Sequence, residues 1–180
     1  TSLNENSILL IGFNWGAGKD EVYEPQNEMP AKSFKELYDI KDLGSFQRVY
    51  LPLKKYLPLE DIDNCVQTNF CFFRSQTGDQ ISQEDLKLST CLFSKLIEQI
   101  KPKRIIGFSK KLQAYLTENK LIANIENANF KSNARTLNVS KGNYESKDPQ
   151  IPIYFLPHPN AKFTSEAREN AWKFCFNSPT

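Results

Sequence analysis

Four consecutive apolar residues, Ile8-Leu9-Leu10-Ile11, stop abruptly at Gly12, and Asn14 stands between that glycine and Gly16. An apolar run this short, bounded by glycines, predicts a buried parallel strand. At the carboxyl end of such a strand, side chains point into the crevice where open α/β sheets hold ligands, so Asn14 is a candidate site residue. Locally, a strand followed by a glycine turn, with Asn14 capping a helix, explains the same residues.

The pattern recurs along the chain. Cys65–Phe73 is rich in β-branched and aromatic residues and predicts a strand, and Arg104–Phe108 and Ile151–Leu156 are further short apolar strands. Between them, Ser82-Gln83-Glu84-Asp85 has the form of a capping box, and Leu92, Phe93, Leu96, Ile97 and Ile100 follow at helical spacing until Pro102. Lys110–Asn119 reads as a second helix, and Thr164 caps a closing helix whose apolar side carries Ala167, Ala171, Trp172, Cys175 and Phe176. Residues 120–149 are polar and alternate weakly, which suggests a strand or hairpin with a mobile loop. Ala17–Ser45 is irregular apart from a short helix near Ser33–Tyr38; a connection of that length in a compact domain is usually functional. Arg48–Leu53 is expected to be a short strand. Alternating strands and helices predict an α/β fold. The expected form is three-layer, with a mostly parallel central sheet of about four strands, helices on both faces, and residues 1–180 in one domain.

Composition excludes several classes. The net charge of +2 neither requires nor forbids a nucleic-acid partner, because a local basic face can sit within a balanced total. Lys101, Lys103, Arg104, Lys110 and Lys111 could form a phosphate track or a solvated face. No run reaches the length of a membrane helix, and Ile8–Ile11 is too short for a signal-peptide core, so the cytoplasm, or the nucleus in a eukaryote, is the expected location. Cys65, Cys71, Cys91 and Cys175 lack the spacing of a zinc site and are expected to be free, mostly buried thiols. Gly16, Gly18 and Lys19 suggest phosphate binding superficially. A P-loop, however, needs glycine where Phe13 stands and Ser or Thr where Asp20 stands, and a dinucleotide fingerprint needs glycine at Glu21.

Three polar features fall at the ends of three strands: Gly12-Phe13-Asn14-Trp15-Gly16, Thr68-Asn69 and His158-Pro159-Asn160. With Arg74, the helix carrying Cys91, and Lys101–Gly107 between them, this order resembles the uracil-DNA glycosylase superfamily. The first motif is similar to the Gly-x-Asn-Pro-Gly of the mismatch-specific and single-strand-selective branches, with Trp15 in place of proline. His158-Pro159-Asn160 is similar to the second motif, His-Pro-Ser, with Asn160 in place of serine. The resemblance implies a uracil-DNA glycosylase-like fold and hydrolysis of the N-glycosidic bond of uracil or a related damaged base in DNA, as in base excision repair.

By that resemblance, Asn14 and His158 are catalytic. Asn14 positions the attacking water, and His158 donates a hydrogen bond to the departing base, which carries negative charge. Gly12, Phe13, Trp15, Gly16, Asn69, Pro159 and Asn160 line the substrate site, with the Asn69 amide pairing with the imide edge of uracil. Lys162 and Phe163 correspond to the loop that intercalates into DNA. The relatives' base-stacking aromatic aligns with Gln26 to Met29, which leaves Trp15, Tyr23 and Phe34 as substitutes. Cys91 matches one cysteine of the iron–sulfur branches, but Phe73 stands at its neighbour, so no cluster, metal or other cofactor is expected. The implied protein acts as a monomer on damaged DNA, away from membranes. The competing reading is a non-catalytic module that keeps the fold and binds a nucleobase or nucleic acid. A weaker one is an α/β nucleotide-binding enzyme using the turn near Gly16 and Gly18.

Overall fold

The computed structural model describes residues 5–16, 33–75, 77–146 and 150–176. Its strands are β1 (Ile8–Gly16), β2 (Val66–Ser75), β3 (Arg104–Gly107), β4 (Ile122–Ser132), β5 (Arg135–Tyr144) and β6 (Ile151–Phe155). They form one six-stranded sheet in the order β2-β1-β3-β6-β5-β4. The first four in that order run parallel, β5 is antiparallel to β6, and β4 is antiparallel to β5.

The fold is α/β, as expected, but the sheet has six strands rather than about four. The added pair is the hairpin β4–β5. Its turn is made at Asn133, whose φ of 54° an asparagine tolerates better than most residues. As the edge strand, β4 is largely open to solvent, which explains why its sequence is polar and its alternation weak.

Helices α1 (Phe34–Asp39), α2 (Tyr50–Tyr56) and α3 (Leu59–Asp63) connect β1 to β2. Beyond β2 come α4 (Gln83–Ile100) and α5 (Lys110–Glu118), and α6 (Ser165–Phe176) closes the described chain. The expected caps are present. Ser82 Oγ accepts from Asp85 N at 3.1 Å, and Thr164 Oγ1 accepts from Ala167 N at 3.3 Å. The expected strand over Arg48–Leu53 is instead the end of a 3-10 turn (Gly44–Arg48) running into α2. Pro52 lies in the first turn of α2, where the missing N–H has no helical partner to lose. Val49, Leu53 and Leu57 recur every four residues and are buried, which is helical periodicity.

Strand periodicity divides the core. Ile8 and Leu10 join one apolar cluster with Phe34, Leu53, Ile62 and Trp172, while Leu9 and Ile11 join another with Phe93, Ile97, Leu112 and Leu116. The cysteines are free thiols; Cys65, Cys71 and Cys175 are buried, and Cys91 is exposed. No described helix is long and apolar enough to cross a membrane.

Candidate functional site

A crevice opens because β1 outlasts β3. Ile8 to Ile11 pair with β3, and the ladder ends where Phe108 N donates to Ile11 O at 3.0 Å. From Gly12 to Gly16 only β2 accompanies β1, with a register shift after Asn14. Helix α1, the first described element after β1, packs in the Phe34 cluster, whereas α5, after β3, packs in the opposite cluster. Connections that part on either side of adjacent strands create the crevice where such sheets bind ligands. A cleft of about 750 Å3 lies there, and Gly12, Phe13, Asn14, Asn69 and His158 all line it. A cleft of that size accommodates a base-sized ligand.

Gly12 and Asn14 lie on the same face of β1 as Ile8 and Leu10, and Gln67 and Asn69 lie on the matching face of β2. Gly12 is opposite Asn69 in the register. A Cβ at Gly12 would fall 2.2 Å from Asn69 Oδ1, so the glycine makes room for that carboxamide to lie across the strand. Among the described residues no hydrogen bond holds the Asn69 carboxamide. Asn14 is oriented through β2. Ser75 Oγ donates to Thr77 O at 2.8 Å and therefore accepts from Asn14 Nδ2, 2.9 Å away. The register shift after Asn14 lets this side chain reach the end of β2.

His158 follows β6 in a tight turn, closed by Ala161 N donating to His158 O at 2.9 Å. Asn160 N donates to His158 Nδ1 at 3.2 Å, which leaves the neutral ring with its proton on Nε2. Partial burial and then the nearby Arg168 charge hold the imidazole below the usual histidine range, which favours that neutral form. Arg168 also fixes the turn from α6, donating through Nη2 to Pro159 O at 3.4 Å and to Ala161 O.

The remaining walls were not marked by any sequence motif. The turn after α1 contributes Asp42, Leu43, Gly44 and Phe46, and the start of α5 contributes Ser109, Lys110 and Lys111. Phe46 and Phe108 meet edge to face with centroids 5.3 Å apart. Ser109 caps α5, its Oγ accepting from Leu112 N at 3.3 Å, so two lysines and the positive end of a helix lie at one rim. Lys111 also bonds Asp79. Asp42 is the carboxylate among the described lining residues. Gly44, at φ 55°, lies in the turn that carries Phe46.

The structure does not gather every expected residue. Pro159, Asn160, Lys162 and Phe163 line a neighbouring cleft, not the one that holds Asn14 and Asn69. The backbone of Trp15 and Gly16 continues β1, pairing with Arg74 and Ser75, and the Trp15 side chain lies outside what the structure describes. Phe34 is fully buried, its ring 6.0 Å from Tyr50, and belongs to the core, not to the cleft wall. Tyr23, Gln26 to Met29, Gly18, Lys19, Asp20 and Glu21 lie outside the described residues. The basic set also divides. Lys101 and Lys103 lie at the amino end of β3, with Lys103 bonded to Asp61 at 2.7 Å, and Lys110 and Lys111 lie at the cleft. Among the described residues no cluster of three or more His, Cys, Asp or Glu side chains could hold a metal ion. Compared with known proteins, the chain matches no family model and no curated sequence.

Proposed function

We propose that the cleft is the base pocket of a DNA glycosylase of the uracil-DNA glycosylase type, in a three-layer domain of that superfamily. The observation that carries this reading is the meeting of Asn14 near the end of β1, Asn69 within β2 and His158 just after β6 around one cleft. A base flipped from the stack enters that cleft. Asn69 offers one donor and one acceptor to the imide edge of uracil, with Phe46 and Phe108 supplying apolar surface.

As the glycosidic bond breaks, the leaving base gains negative charge. His158 donates to it through Nε2–H, and the lysines at the start of α5 add positive potential. Water then attacks the cation-like sugar. Asn14, whose amide nitrogen is held by Ser75, positions that water. An amide positions a water without deprotonating it, so turnover is slow beside that of a site with a carboxylate at the same place. Incubation with uracil-containing single- and double-stranded oligonucleotides, followed by alkali, tests the activity; strand scission is the expected outcome.

A second reading, a module that binds a nucleobase without releasing it, draws on the same amide. It predicts saturable binding of a uracil oligonucleotide with no scission.

A further inference from the structure

Strand β4 is the last in the sheet, and among the described residues no strand pairs with its outer side. The free N–H and C=O groups of such an edge are a template for another strand, and folds usually blunt them. Here the edge is blunted only at its ends. The register shift between Ala123 and Glu126, with Asn124 at φ 52°, breaks the strand on one side. The turn at Asn133 ends it on the other. Between them, Glu126–Ser132 pairs with β5 in unbroken register, and that stretch is centred on Asn129.

Such a stretch can pair with a copy of itself, antiparallel, about a two-fold axis through its central residue. Residues set opposite each other must share a face of the sheet, and centring on Asn129 meets that condition. Ala128 then meets Phe130 of the second copy, Asn127 meets Lys131, and Asn129 meets its own equivalent. Ala128 and Phe130 both pack against the core cluster that holds Trp172, and Phe130 meets Phe174 edge to face at 6.5 Å. Their cross-pairs continue that apolar layer over the junction. Glu126 meets Ser132 and brings no uncompensated charge, because Lys141 lies 3.2 Å from it.

The opposite face decides the occupant. Asn127 and Asn129 line a cleft of about 430 Å3 against α5, together with Glu118 at the end of that helix. Glu118 and Lys131 are exposed, and neither has a hydrogen-bond or ion-pair partner among the described residues. In the self-paired register, Lys131 of one copy stands opposite Asn127 of the other, at the cleft that Glu118 lines. The two-fold axis makes this match of charges twice.

We infer that β4 is a homodimer interface, in which two copies of this chain join antiparallel through Glu126–Ser132 and exchange Lys131–Glu118 ion pairs. The inference goes beyond the proposed base pocket and does not depend on it. Antiparallel joining turns the parallel strands of the two copies in opposite directions. Their first clefts therefore open at opposite ends of one shared sheet.

The test is sedimentation velocity of the full chain over a concentration series, in which wild type is expected to pass from monomer to dimer. E118K and K131E each set like charges together at two equivalent places and are expected to weaken association about tenfold. The E118K/K131E double variant exchanges the signs and is expected to return to within about threefold of wild type. N129K places two lysines directly opposite at the axis and is expected to weaken association by at least about tenfold. K87E, at an exposed lysine on α4, which packs on β2 at the far edge of the sheet, leaves association unchanged. Circular dichroism confirms that the variants are folded. A wild type that stays monomeric at every concentration overturns the inference. So does a dimer indifferent to N129K or to the single charge reversals, since it would use another surface such as the β2 edge. Weakening by both single reversals without recovery in the double variant overturns it as well.

Discussion

Gly12 and Asn69 form a lock that acts on one side chain without touching the fold. Gly12 is in extended strand backbone, and what an added methyl would meet is the end of the flexible Asn69 side chain. G12A should therefore displace the Asn69 carboxamide while costing only about 1 kcal/mol of stability, within the usual range for single substitutions. Thermal unfolding and uracil binding measured together check this. Near-wild-type stability with binding as weak as that of N69A is expected, and wild-type binding would contradict it.

His158 offers a second test at this scale, because it is the single histidine of the chain. Its NMR titration midpoint should lie below 6.5, and R168Q should move it back toward that value by removing a nearby positive charge. The sign of the linkage follows. A lowered folded-state value means that the neutral ring stabilises the turn above pH 6.5, and that this contribution is lost as pH falls through the lowered value. Asn14 and His158 were legible in the sequence because each follows an apolar run, whereas Asn69 lies inside β2 with the apolar residues Phe70–Phe73 after it. Asp42, Phe46 and Phe108 were not, because their place at the cleft is set by the path of the chain between elements, which no local pattern records.

Among the elements, the hairpin β4–β5 is what the sequence left open, since β4 is a polar edge strand even though Leu137 and Val139 of β5 join the core. Its irregularity has a definite anchor. A Cβ at Gly142 would fall 2.7 Å from the carbonyl oxygen of Ala123, beside the register shift between Ala123 and Glu126. Backbone cannot swing aside as a side chain does, so G142A should destabilise the protein by about 1–3 kcal/mol, the cost of overpacking. Urea unfolding measures it; a loss under about 0.5 kcal/mol, the level of an ordinary surface change, would contradict it. The capping box of α4, the Thr164 cap of α6 and their apolar stripes made both helices legible. The 48–53 segment misled because β-branched and aromatic residues beside a proline suggest a strand end, while its four-residue burial period emerges only against the core.

At the scale of the whole molecule, the parallel order β2-β1-β3-β6 was legible as a class from short apolar runs separated by helices. The crevice lies where β1 outlasts β3, with α1 packed in one core cluster and α5 in the other. Less legible was the division of the second motif: His158 lines the first cleft, while Pro159 and Asn160 line its neighbour. One turn thus serves two clefts, and Arg168 ties it to α6. The central claim is that the three-strand meeting of Asn14, Asn69 and His158 releases a base. The most direct measurement is alkali-sensitive scission of a uracil-containing oligonucleotide by wild type and by the N14A/H158A double variant. Wild type is predicted to cut at the uracil position, with the double variant slower by at least about 100-fold, as expected when a positioning and a donor group are both removed. Equal scission by the two proteins, or none by wild type, would contradict it.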